Sequence, residues 1–138
     1  MPDGALARRV LGGRASAEWR EPACPAEGPY TPAVRAGDWL IVSGQIGLGP
    51  DGLADDFAGQ LRQALANLDA VLAEHGARAD QVAKATVFLV DMDDYVELNE
   101  VYCEFFGDHR PARSAVAVAA LPLGARVEVE AWAWCGAD

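Results

Sequence analysis

Apolar residues fall into a regular rhythm only after the turn-like segment Glu27-Gly28-Pro29-Tyr30. Asp38 to Ile46 (DWLIVSGQI) reads as a strand, and Gly47 to Gly52 as a loop. Phe57, Leu61, Ala64, Leu65, Leu68, Val71 and Leu72 then recur at helical spacing, which predicts a long amphipathic helix ending at His75-Gly76. Gln81 to Val90 (QVAKATVFLV) reads as the next strand. Asp91 or Asp93 can cap a second helix whose apolar side carries Tyr95, Leu98, Tyr102, Phe105 and Phe106, and Gly107 stops it. Two strands close the pattern, RSAVAVAALP from Arg113 and ARVEVEAWAW from Ala125. The first 27 residues are rich in Ala, Gly, Arg and Pro and carry little periodicity, although Arg14 to Arg20 can form a short strand.

The order is strand, helix, strand, helix, strand, strand, with no internal repeat and no linker. This predicts one α+β domain over residues 28–138 behind an extension of residues 1–27. Two helices can cover one face of the resulting sheet. The last strand nevertheless offers Val127, Val129, Ala131 and Ala133 on one face and Glu128, Glu130, Trp132 and Trp134 on the other. The strand before it is apolar on both faces after Arg113. A second copy of the chain is the simplest cover for the remaining face, so a homo-oligomer is expected.

Composition narrows the choice of partners. With 138 residues and 51% hydrophobic content, the chain suits a single globular core. Eleven basic against twenty-one acidic residues leave a formal charge of −10, and no Lys/Arg cluster reverses it locally. Such a surface repels phosphate backbones, so nucleic acid is not an expected partner. An anionic small molecule stays open where one arginine dominates its pocket, because distant charges are screened within about 8 Å at physiological salt. No apolar stretch approaches the roughly 20 residues of a membrane span, and the start lacks a signal-peptide core. Cys24, Cys103 and Cys135 are odd in number and widely spaced, and only His75 and His109 could join them. Reduced thiols in the cytoplasm and no metal site are therefore expected.

Chemistry concentrates at the last two strands. Arg113 stands at the edge of a buried-looking run, where an unpaired guanidinium is costly. It is also the side chain best shaped to hold a carboxylate through two parallel hydrogen bonds. Glu128 and Glu130 interrupt the following apolar strand. Either Arg113 pairs with one of these glutamates in a structural ion pair, or Arg113 and Glu128 face a pocket, one binding an anion and the other handling water. Asn99 lies four residues after Tyr95 and three before Tyr102, on the apolar stripe of its helix, and an amide there needs partners. Gly47-Leu48-Gly49-Pro50-Asp51-Gly52 matches GxGxxG, but Pro50-Asp51-Gly52 reads better as a turn and no helix follows at the right place. Asp91, Asp93 and Asp94 lack the glycine and distal glutamate of a calcium loop and read as helix caps. His75 suits a helix C-terminus, and His109 is an ordinary loop histidine or an acid/base group.

Gly28-Pro29-Tyr30, Val42-Ser43-Gly44-Gln45, Thr86 through Met92, Asn99 through Phe106, Pro111-Ala112-Arg113-Ser114, Leu121-Pro122 and Val127 through Ala131 together resemble the Rid family (RidA, also called YjgF). The resemblance runs in order from Gly28 to about Trp134. It implies a chorismate-mutase-like fold, a mixed sheet with two helices on one face, assembled as a homotrimer with a site in each cleft between subunits. It further implies hydrolytic deamination of the reactive enamines and imines that arise when pyridoxal-phosphate enzymes dehydrate serine or threonine. Carried over, Arg113 clamps the substrate carboxylate and Glu128 orients and activates water. Tyr30 and Asn99 line the pocket, and Ser43, Gly44 and Ala115 supply polar and backbone contacts. Neither metal nor organic cofactor is implied. Pro32, Gly47 and Ala115 depart from residues common in the family, and the extension is longer than usual. Three function classes follow: an imine deaminase, a non-catalytic binder of small carboxylates, and a ribonuclease, the last disfavoured by the acidic charge.

Overall fold

A computed structural model describes residues 30–137 and the two-residue strand Ala17–Glu18. The elements in chain order are β1 (Ala17–Glu18), β2 (Ala33–Ala36), β3 (Trp39–Ile46), β4 (Leu48–Gly49), β5 (Gly52–Leu53), α1 (Phe57–Glu74), β6 (Val82–Leu89), α2 (Tyr95–Phe106), β7 (Ala112–Ala117) and β8 (Val127–Trp134). The main sheet runs β1-β2-β3-β8-β6-β7. Its pairs are antiparallel except β6 with β7, which are parallel and joined by α2, the crossover such a pair requires. The fold is therefore α+β with a mixed sheet and two helices. The expected domain boundary at residues 27 and 28 lies outside the described residues.

Helix α1 starts where Asp56, in extended conformation, accepts a hydrogen bond from the Gly59 amide at 2.9 Å. It buries Phe57, Leu61, Ala64, Leu65, Leu68 and Leu72 of the stripe its sequence spacing predicts, and leaves Val71 of that stripe half-buried. His75 closes its last turn, with Nδ1 2.8 Å from the Val71 carbonyl, and Gly76 follows at a φ of 74° that favours glycine. Asp91 accepts from the Asp93 amide at 2.9 Å in the turn that leads into α2. On the sheet side, Val127, Val129, Ala131 and Ala133 of β8 are all fully buried with Val82, Ala85, Val87 and Leu89 of β6.

Two features depart from the sequence reading. Residues 33–36 form β2, paired with β3 through a tight connection in which Gly37 adopts a φ of 63°. Ala33-Val34-Arg35-Ala36 is too short and too small-sided to show a strand period. The Gly47–Gly52 loop is a small hairpin, β4 with β5, turning at Pro50-Asp51. That hairpin removes the helix start a dinucleotide site would need. Gly47, a departure from the family pattern, has a steric reason: a Cβ there would lie 2.6 Å from Gln60 Cα on α1.

The face of the sheet turned away from the helices carries Trp39 and Ile41 of β3, Glu128, Glu130, Trp132 and Trp134 of β8, Lys84, Thr86 and Phe88 of β6, and Ser114 and Val116 of β7. Trp39 packs edge-on against Trp132 and Trp134, with centroids 5.9 and 5.0 Å apart. Val116, Trp132 and Trp134 remain 43%, 42% and 38% exposed. No element among the described residues covers this face. No helix among them is long and apolar enough to cross a membrane.

Candidate active site

Arg113 sits opposite Ala85 in the β6–β7 register, and Ala85 sits opposite Ala131 of β8. All three belong to the helix-covered face, so the guanidinium reaches toward α2. Tyr95, Asn99 and Tyr102 are spaced four and three residues apart and meet it from one side of that helix. Arg113 Nη2 donates to Asn99 Oδ1 at 2.9 Å and to the Tyr95 hydroxyl at 3.3 Å. Its Cζ stands 4.8 Å from the Tyr102 ring centre and 5.6 Å from that of Tyr95, a cation–π arrangement. The Tyr102 hydroxyl is buried with no hydrogen-bond partner among the described residues. Burial pushes its phenol above the ordinary value, against the opposing pull of Arg113.

None of the ion pairs among the described residues includes Arg113. The structural pair with Glu128 or Glu130 is therefore not formed, and the register explains why. Glu128 lies opposite Phe88, and Glu130 opposite Thr86, on the uncovered face. One strand, β6, separates β7 from β8, so the two backbones run about 10 Å apart. Within one chain, Arg113 and Glu128 point to opposite sides of the sheet.

Glu128 heads a second group of residues. It rests against Gly44, where a Cβ would fall 2.6 Å from Glu128 Oε2. Gly44 belongs to an irregularity of β3 between Val42 and Gln45, which shifts the register against β8. Beside it, Ser43 Oγ donates to the Thr31 carbonyl at 2.6 Å, and the Ser43 amide donates to the Pro32 carbonyl at 2.8 Å. The Ser43 hydroxyl proton thus anchors the segment that carries Tyr30. Tyr30, Gly44 and Glu128 line a cavity of about 340 Å³. Burial first, and the negative charge of Glu130 second, raise the Glu128 carboxyl above its ordinary value.

The sequence-predicted residues therefore divide into two groups. Arg113, Asn99 and Ala115 belong to the helix-covered side and the β7 edge, with Ala115 opposite Val87. Tyr30, Ser43, Gly44 and Glu128 belong to the β3–β8 side. β7 is the last strand of the sheet, so part of its backbone faces outward unpaired. Tyr95 and Tyr102 were not foreseen as partners of Arg113, although their place beside Asn99 on one stripe was the available signal. His109, the other acid/base candidate, lies 2.7 Å from the Val82 carbonyl through Nε2 and ties its loop to β6.

A family model described as Endoribonuclease L-PSP matches residues 21–135. The chain belongs to this family, known as RutC, YjgF or Rid. Among Rid-family proteins it is 43% identical to a RutC family protein of Pyrococcus horikoshii over 110 residues, 78% of this chain and 87% of that one. It is 42% identical to the 2-iminobutanoate/2-iminopropanoate deaminase of Mus musculus over 109 residues, 77% and 81% of the two chains. The crystal structure of E. coli TdcF with bound serine superposes with a TM-score of 0.77 at 37% identity, covering 80% of this chain and 91% of that one.

The contact between Gly44 and Glu128 gives a direct test of the second group. The three atoms nearest a methyl at position 44 all belong to the flexible Glu128 side chain, so Gly44→Ala should displace the Glu128 carboxylate with little change in melting temperature. If Glu128 serves as a base, a displacement of about an ångström should lower turnover by roughly tenfold or more. Thermal melting beside an activity assay checks both halves of this expectation.

Proposed function

We propose that this Rid-family protein hydrolyses small 2-imino and 2-enamino carboxylic acids to 2-oxo acids and ammonia, in clefts formed between copies of the chain. The observation that carries the reading is Arg113, held by Asn99, Tyr95 and Tyr102 and paired with no carboxylate among the described residues. A guanidinium so held is preorganised for an anionic ligand with two acceptor oxygens. The mouse relative's designation and the serine bound to TdcF agree with a small amino-acid-like ligand. The family description mentions ribonuclease, but a charge of −10 without a basic patch opposes an RNA ligand here.

The opposite facing of Arg113 and Glu128 leads to the assembly. One small acid cannot touch both within a chain. A second copy laid on the open sheet face and the β7 edge brings one copy's Arg113 toward the other's Glu128. The assembly proposed is a homotrimer, a closed ring in which every site is shared. Purified protein should then scatter light as about three times 14.6 kDa. Val116→Asp, which buries an unpaired charge in that interface, should yield monomers and abolish turnover together.

In the reaction, Arg113 holds the carboxylate and so fixes the C=N carbon beside Glu128. The ionised Glu128 accepts a proton from water as the water oxygen bonds to C2, and the C=N π electrons move to nitrogen. The carbinolamine nitrogen then takes that proton back from Glu128. Glu128 next relays the hydroxyl proton to the amino nitrogen as the hydroxyl collapses to C=O; the C–N bond breaks, ammonia leaves and Glu128 is again ionised. An enamine first becomes the imine by gaining a proton at C3 and losing one from nitrogen. Imines hydrolyse unassisted in water, so orientation and one general base suffice, and neither metal nor cofactor is required. The test is to couple a serine/threonine dehydratase to this protein. The imine should disappear faster in proportion to protein added, and an unchanged decay rate would reject the reading.

The raised Glu128 carboxyl sets a pH dependence. The base form is needed, so kcat/KM should fall as pH drops through a value above the usual glutamate range. Glu130→Gln removes the second cause of the elevation, so the acid limb should move to lower pH. A pH–rate profile of both proteins checks the sign. Stability runs the other way: a carboxyl whose folded pKa is raised contributes most at low pH, and that contribution is lost as pH rises through the folded value.

A further inference from the structure

The cavity beside Glu128 is larger and more apolar than hydrolysis of a three-carbon acid requires. Beyond Tyr30, Gly44 and Glu128 its walls are Pro32, Ile46, Leu48, Val71 and Pro122. At about 340 Å³ it is a half-open recess whose volume lies at the lower end of the range for small-molecule pockets. Of the polar side chains on its wall, Asn67 is fully engaged. Its Nδ2 donates to the Ile46 and Leu48 carbonyls, each at 3.0 Å, and its Oδ1 accepts from Gln63 at 2.8 Å. The Gln45 amide donates to the Ser43 carbonyl at 3.0 Å. Gly47, between Ile46 and Leu48, lies so near α1 that a Cβ would sit 2.3 Å from the Gln60 carbonyl oxygen. The strap Ile46–Leu48 is thus fastened to the helix by Asn67 and by close approach, and it forms a fixed apolar pouch opening onto the Glu128 carboxylate.

We infer that this pouch receives the substrate's side chain, so that this protein prefers imino acids with branched or aromatic apolar side chains over 2-iminopropanoate. The inference rests on the deaminase reading and adds the substrate class. With the carboxylate held by Arg113 and C2 facing Glu128, the side chain on C3 is the one part of the substrate left to fill apolar space. A methyl group leaves the pouch unfilled. An isobutyl or benzyl group displaces poorly bonded water from Ile46, Leu48 and Val71, and each buried methylene favours the bound state. Val71, half-buried, is the apolar residue that α1 contributes to the wall beside the engaged Asn67, so its size sets the specificity from the helix side.

The experiment compares three imines made by one amino-acid oxidase from L-alanine, L-leucine and L-phenylalanine, each followed by semicarbazide trapping as protein is added. The wild-type kcat/KM for 2-imino-4-methylpentanoate or 2-imino-3-phenylpropanoate should exceed that for 2-iminopropanoate by about tenfold or more. Val71→Phe, which fills the pouch, should lower that ratio by about tenfold, and the gentler Val71→Leu by several-fold, whatever the absolute rates. If 2-iminopropanoate is accelerated and the larger imines equally or less, the pouch inference fails and the deaminase reading stands. If the ratio is unmoved in a folded Val71→Phe or Val71→Leu protein, Val71 does not set it, and the inference also fails. If no imine is accelerated, the deaminase reading itself is lost, and the pouch inference with it.

Discussion

Arg113→Ala should lose roughly 10²–10⁴ in kcat/KM on imino acids. Charge-assisted hydrogen bonds contribute on the order of 1.5–3 kcal/mol each, so a two-bond clamp on a carboxylate supplies about 3–6 kcal/mol. Arg113→Lys keeps the charge without the fork and should recover only part of that loss. Structure sharpens the companion expectation for stability. Had Arg113 been paired with a buried glutamate, its removal would strand a charge and cost several kcal/mol of folding free energy. Its partners among the described residues are an amide and two phenol rings, so its removal strands no charge among them. The melting temperature should fall modestly while binding of pyruvate-like acids collapses. A protein that melts much earlier yet, while folded, binds such acids normally would remove Arg113 from the site.

Glu128→Gln should lower kcat by roughly 10²–10⁴ while leaving carboxylate binding in place. The amide keeps the shape against Gly44 and takes away the proton acceptor. Because burial disfavours the ionised Glu128, the variant should be as stable as the wild type at neutral pH, or more so. Glu130→Gln shares the strand face and should have the milder effect on kcat. The reverse ranking of the two variants would place the water-handling role on Glu130.

The β8 alternation and the α1 stripe were legible because each buries a complete face, which leaves a clean period of two or of 3.6 in the sequence. β2 was not, since Ala33-Val34-Arg35-Ala36 offers too few bulky residues to show alternation, and the β4–β5 hairpin has only two residues on each side. Arg113 and Glu128 stood out as charges in apolar strands. What the sequence cannot carry is register: β7 pairs in parallel with β6 through a helical crossover, and a shift of one residue would turn Arg113 to the other face. The same limit hid the role of Tyr95 and Tyr102. Rings at helical spacing look alike whether they pack a core or a guanidinium, and the residue that distinguishes the cases lies on another strand. Asn99 was conspicuous as an amide in an apolar stripe, but only the fold supplies Arg113 as its partner.

The shared site is tested most directly by mixing two inactive proteins. Arg113→Ala and Glu128→Gln chains, unfolded together in equal amounts and refolded, form rings of mixed composition. If each site takes Arg113 from one copy and Glu128 from its neighbour, about a quarter of the sites regain both native residues, and imine turnover should return to about that fraction of wild type. A mixture shown by native mass spectrometry to contain mixed oligomers, yet no more active than either parent, would contradict the account.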